Sequence, residues 1–228
     1  MTPLFTVIAA AGGAALAGAL GVLPLTRGRP PARQLAWASS LAAGMMMASS
    51  FALVESLPVG ATISLTAGGV VGVAFLHGVR IAMRAEDLSL NVLESADPDY
   101  GGRVLRIGLI HSAAEGVAIG AAMAQELAFG IFVAAAFALH NVPEGTLLGA
   151  VLRERGHSLW RAARLAVGAN GGQVLLAVAT YVVALEWPVV LPFLLGFAAG
   201  ALIYLVLVDL LPDAYAGAGS KSIALAVI

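Results

Sequence analysis

Cysteine is absent from all 228 residues, which removes disulfides, thiolate metal sites and iron–sulfur clusters from consideration. Lysine is almost absent: Lys221 stands alone, outside every apolar stretch, so a retinal Schiff base in a seven-helix bundle is excluded. Charge of either sign is scarce. Charged residues make up 11% of the chain and the formal net charge is −1, without the basic excess that a nucleic-acid partner requires. No polar stretch is long enough to suggest a separate soluble domain.

What remains is apolar: 60% of the residues are hydrophobic and the mean hydropathy is +0.94, far above a soluble domain. Runs long enough to cross a bilayer recur along the chain. They predict seven helices at about 4–25, 34–57, 60–83, 104–124, 128–152, 161–185 and 189–211. The expected fold is an all-α polytopic membrane protein, with residues 1–228 forming a single transmembrane domain. Connections are short except at residues 85–103, an acidic stretch with Glu86, Asp87, Glu94, Asp97 and Asp99 that reads as a solvated loop.

The basic residues test this map. Arg27, Arg29 and Arg33 follow the first helix; Arg80, Arg84, Arg103 and Arg106 flank the acidic loop; Arg153, Arg155, Arg161 and Arg164 surround the connection after the fifth; Lys221 follows the seventh. All of them fall on one side, which the positive-inside rule makes cytoplasmic, with the N-terminus outside and the acidic loop inside. The opposite connections carry Glu55, Glu126 and Glu186 and no Lys or Arg. The first helix has no basic residues before it, so a cleaved signal peptide is not expected.

Two look-alike segments interrupt the apolar sequence: His111-Ser112-Ala113-Ala114-Glu115-Gly116 and His140-Asn141-Val142-Pro143-Glu144-Gly145. Each sets a histidine and a carboxylate at i and i+4, on one helix face, where both can converge on one ion. A carboxylate near the centre of a transmembrane helix costs about 2.5–3.5 kcal/mol on insertion scales, so such groups face a cavity or a partner. The fourth and fifth helices run in opposite directions and each motif lies near mid-span, so the pairs meet at similar depth. Imidazole with carboxylate suits borderline divalent ions such as Zn²⁺, and two carboxylates neutralise the ion where unpaired charge is expensive. Without an ion, two acids at one poorly solvated spot cannot both stay charged, so metal binding should release a proton.

The rival reading is a hydrogen-bonded cluster joining helices. Pro143 removes a donor to the Leu139 carbonyl and loosens the fifth helix beside His140. Gly116 with Gly120, and Gly145 with Gly149, form small-residue ridges expected to let the motif-bearing helices approach closely. Asp209 lies deep in the last helix, Glu55 at the outer end of the second. His77 and His157 read as solvated, and Met45, Met46 and Met47 read on periodicity as lipid-facing or core residues.

An internal echo links the second helix (Leu41-Ala42-Ala43-Gly44-Met45-Met46-Met47, then Glu55-Ser56-Leu57-Pro58) to the seventh (Phe197-Ala198-Ala199-Gly200-Ala201-Leu202-Ile203, then Asp209-Leu210-Leu211-Pro212). The two helices run in opposite senses, so this is an expected inverted repeat, with its site at the repeat interface. That symmetry calls for eight spans, and Ile223 to Ile228 read as the start of a truncated eighth.

Together the HSxxEG and HNxPEG forms, the AAGxM segment and the GFAAGxxxY…DLLP segment resemble the ZIP (Zrt-, Irt-like) divalent metal transporters, and within them the bacterial GufA-like branch. The resemblance covers helices two to seven. It implies eight helices with both termini outside, inward movement of a divalent ion across a bacterial inner membrane, and one helix bundle moving against another. Zinc is the first expected substrate, with Fe²⁺, Mn²⁺ or Cd²⁺ as alternatives. By position, the metal site would comprise His111, Glu115, His140, Glu144 and Met46. A second, adjacent site in relatives maps onto Ser112 and Asn141 with the shared acids. The sixth helix offers Asn170 and Gln173 where relatives carry an acid, which puts a binuclear site in doubt. Asp209 matches an acid near the inner exit, and Glu55 would draw cations in from outside. The acidic loop lacks the histidine cluster some relatives carry. A homodimer is left open. An intramembrane zinc hydrolase would use the same ligands to activate water, but it needs a separate general base, and neither HExxH nor a spare buried acid is evident.

Overall fold

Pro3 opens α1 (Pro3–Val22) at a position where a helix needs no N–H, and the helix tightens into a 3₁₀ turn before Gly28 reverses the chain at φ 106°. The computed structural model describes residues 2–28, 31–56, 59–82 and 100–221. Pro31, in extended geometry, starts α2 (Ala32–Glu55). Then come α3 (Thr62–Ala82), α4 (Tyr100–Gln125) and α5 (Leu127–Glu154), the last two separated by Glu126 alone. The chain continues with α6 (Leu159–Ala169), α7 (Gly171–Glu186), α8 (Leu191–Leu205), a π turn (Val206–Leu210) and α9 (Leu211–Ala218). No strand occurs among the described residues. Six stretches are long and apolar enough to cross a membrane: Pro3–Thr26, Arg33–Glu55, Thr62–Ala82, Leu127–Glu154, Leu159–Glu186 and Pro188–Ala218. The 26-residue α4 packs among them. This is an all-α polytopic membrane protein.

Three details depart from expectation. α4 begins at Tyr100, so 100–103 form helix rather than loop; the rest of the acidic stretch, 83–99, lies outside the described residues, as does the proposed start of an eighth span, 223–228. The sixth span is broken: Asn170, at φ −86° and ψ 7°, ends α6 and starts α7, where an Asn followed by two glycines is a poor helix former. The seventh span widens into a π turn just before Pro212, whose ring and missing N–H are incompatible with regular α bonding to the preceding turn.

Glycines decide which helices touch. A Cβ on Gly145 would overlap the Gly18 carbonyl, and one on Gly21 would overlap Val142, joining α1 to α5 in parallel. Gly116 and Gly120 press on Gln173 and Ala177, joining α4 to α7, and Gly69 meets Gly196 and Gly200, joining α3 to α8. The ridges expected to join the fourth and fifth helices to each other instead face α7 and α1. The reason is helical geometry: Gly116 and Gly145 each follow the glutamate by one residue, about 100° around the helix from the carboxylate face.

The helices fall into two groups. One holds α1, α4, α5, α6 and α7; the other holds α2, α3, α8 and α9. They meet mainly along α2 with α5 and α4 with α8. At one end of this seam the Gln125 amide donates to the Ser56 carbonyl (2.7 Å) and the Ser56 hydroxyl donates to Gln125 Oε1 (3.0 Å).

Candidate metal site

Glu115 on α4 and His140 on α5 are both fully buried, with His140 Nε2 3.3 Å from Glu115 Oε1. Glu144, one turn further along α5, brings Oε2 to 3.8 Å from the same nitrogen and keeps about a quarter of its side chain accessible. Ligand atoms of the three lie within 4.8 Å of one another. Four ligands bound at about 2.1 Å in a tetrahedron sit roughly 3.4 Å apart, so small side-chain shifts would close this triad on one ion. The hydrogen-bonded-cluster reading fares poorly: neither Glu115 oxygen, neither His140 nitrogen nor Glu144 Oε2 has a hydrogen-bond partner within the protein. Buried acceptors left unpaired are costly, and a divalent cation between two carboxylates and an imidazole would satisfy the carboxylate oxygens and the His140 Nε2 that face it.

His111 is not part of that triad. It lies one turn before Glu115 on α4, and because α4 and α5 are antiparallel this turn is level with Glu144 rather than with His140. The side chain lines a neighbouring cavity of about 30 Å³, together with Arg80 from α3 and Tyr204 and Asp209 from the last span. It remains within electrostatic reach of both Glu144 and Asp209. Met46 is fully buried on α2, one turn after Ala42, whose backbone lies beside His140. Met45 and Met47 are half-buried.

The neutral candidates are occupied in holding helices together. Ser112 donates to the carbonyls of Ala169 (2.9 Å) and Leu109 (3.0 Å). Asn141 donates through Nδ2 to the Ala14 carbonyl (2.9 Å) and to Gln173 Oε1 (3.1 Å). Asn141 Oδ1 and Asn170 Oδ1 stay buried without a hydrogen-bond partner and are the oxygens this layer still offers.

Glu55 is exposed at the end of α2, beside the Ser56–Gln125 bridge. Asp209, on the π turn, accepts a hydrogen bond from Arg80 Nη1. Arg80 had counted in the sequence only among the arginines flanking a loop, and Tyr204 carried no signal beyond its place in the GFAAGxxxY segment. His77 is exposed, as expected, but its Nδ1 lies 3.0 Å from the Tyr204 hydroxyl. His157 accepts from Arg153 through its backbone carbonyl (2.8 Å).

Residues 102–226 match the family described as "ZIP Zinc transporter". Among curated proteins, the Arabidopsis thaliana protein named "Putative zinc transporter At3g08650" is 33% identical over 190 residues, covering 82% of this chain and 31% of that protein. The chain thus spans about a third of the length of the curated relative it matches. With more than half of its length matched, the chain belongs to the ZIP zinc transporter family.

Proposed function

We propose that residues 1–228 act as one transport unit that carries divalent transition-metal ions, zinc foremost, inward across a bacterial inner membrane by alternating access. Fe²⁺, Mn²⁺ and Cd²⁺ are the other candidate cargoes. The observation that carries this reading is the convergence of Glu115, His140 and Glu144, the first two buried and the facing ligand atoms without hydrogen-bond partners, beside the seam between the two helix groups. A site so placed can be reached from one side and then the other if the groups shift relative to each other.

Two further observations support it. Toward the arginine-bearing end a cavity lies beside His111, while at the other end the seam is fastened by Ser56 and Gln125. That asymmetry fits a conformation closed on the Glu55 side and open toward the positive, hence cytoplasmic, side. The ion would enter past Glu55, be held by Glu115, His140 and Glu144 with Met46 and His111 completing the shell, and leave past Asp209. The triad supplies two negative charges for a doubly charged ion, so it binds the cargo without leaving net charge in the apolar interior.

Zinc uptake into proteoliposomes tests the reading. Glu144→Ala, His140→Ala and His111→Ala should each abolish uptake while the protein remains folded in the membrane. Unchanged uptake in Glu144→Ala and His140→Ala would remove the site.

A further inference from the structure

The cavity lined by His111 sets a carboxylate that the first site does not use, Asp209, opposite an imidazole that this site shares. His111 on one wall and Asp209 on another offer an imidazole nitrogen and a carboxylate, the combination that suits borderline divalent ions. About 30 Å³ is room for one water or one small cation. His111 lies within electrostatic reach of Glu144 on one side and Asp209 on the other, so it is the wall that the cavity shares with the surroundings of the triad. Left to themselves, these two groups would make a second binding site directly downstream of the first, and a carrier whose cargo falls into a second site releases it slowly.

Arg80, itself a wall of the cavity, takes up the acid of that second site and leaves its space open. Its Nη1 donates to Asp209 Oδ1, and its planar guanidinium is a delocalised cation that suits a carboxylate partner. Two features bring it there. His77, one turn earlier on α3, meets Tyr204 through a 3.0 Å hydrogen bond and an edge-on ring contact, which sets the register of α3 on α8. The π turn Val206–Leu210 does the rest: in a regular α-helix Asp209 would lie about 140° around from Tyr204, and the wider turn winds it back toward the face that α3 covers. The side chains of the pair are 23% and 29% accessible, so the bond is screened and can be displaced.

We propose that Arg80 is a built-in counter-ion that prevents His111 and Asp209 from trapping a divalent cation, so that metal leaving Glu144 crosses the cavity without being held. The inference rests on the transport reading above and deepens it, naming a residue that sets the rate of release. Arg80 acts through Asp209 and touches no cargo while the pair is closed.

Equilibrium dialysis of the purified chain in detergent against Zn²⁺ reads the proposal directly. Arg80→Gln should bind one more ion per chain than the unaltered protein; Arg80→Lys should not, and Arg80→Gln combined with Asp209→Asn should lose the extra ion. In proteoliposomes, Arg80→Gln should lower the maximal zinc flux roughly two- to fivefold with KM unchanged or lower, and Asp209→Asn in the same chain should restore it. Equal stoichiometry and equal maximal flux in Arg80→Gln and the unaltered protein would overturn the proposal. So would equal impairment by Arg80→Lys and Arg80→Gln, the mark of a merely structural role. Glu144→Gln in the same vesicles separates the two claims: its flux collapses if the His/Glu site carries transport, whatever Arg80 does.

Discussion

Replacing Gln125 by Ala should loosen the seam at its Glu55 end. The Gln125 amide makes one full hydrogen bond to the Ser56 carbonyl, whereas the return bond from the Ser56 hydroxyl is shared with the Leu53 carbonyl at 2.7 Å. One neutral bond plus part of another is worth about 1–2 kcal/mol, which shifts a two-state opening equilibrium by roughly 5- to 30-fold. Because the chain has no cysteine, a single reporter can be placed without background. Leu53 is fully buried behind the bridge, so Leu53→Cys should react slowly with a membrane-impermeant maleimide. Adding Gln125→Ala should raise that rate by the same 5- to 30-fold, from the outer side only. An unchanged labelling rate, or equal acceleration from both sides, would refute the claim that this bridge closes one end of the path.

Gly145→Ala should destabilise the protein by about 1–3 kcal/mol, because the new methyl overlaps the Gly18 carbonyl and forces α1 from α5; thermal unfolding in detergent measures it. Gly12→Ala, on the same α1 but with nothing within 4 Å of the added carbon, should leave the melting temperature unchanged or slightly raised. Asn141→Leu removes the bonds to Ala14 and Gln173 and leaves the buried Gln173 oxygen without its donor, at about 1–3 kcal/mol in the same assay. If it unfolds no sooner than the unaltered protein, the α1–α5–α7 network has been overvalued.

The spans were legible because lipid imposes a simple demand: long apolar runs with arginine kept to one side. The interruptions were less so. Asn170 and Pro212 are both visible in the sequence, but whether an Asn or a Pro breaks, kinks or widens a helix depends on what packs around it. The His and Glu spacing pointed to one face of each helix. It could not give depth: His111 and Glu115 share a face yet stand a full turn apart, so Glu115 meets His140 while His111 opens onto the next cavity. The glycine ridges carried the same ambiguity in angle. Arg80 was hidden by its own charge, since a basic residue at a helix end is read as a topology marker and its partner sits 129 positions away.

The close glycine approaches described above all lie within one helix group or the other: α1 on α5, α4 on α7, α3 on α8. Across the seam, the hydrogen bonds of the Ser56–Gln125 bridge each use at least one side chain. Backbone set against backbone has no torsions left to yield, whereas a side chain can swing aside. Residue size therefore distributes stiffness, making two hard shells with one pliant joint, and the cargo's resting place lies beside that joint.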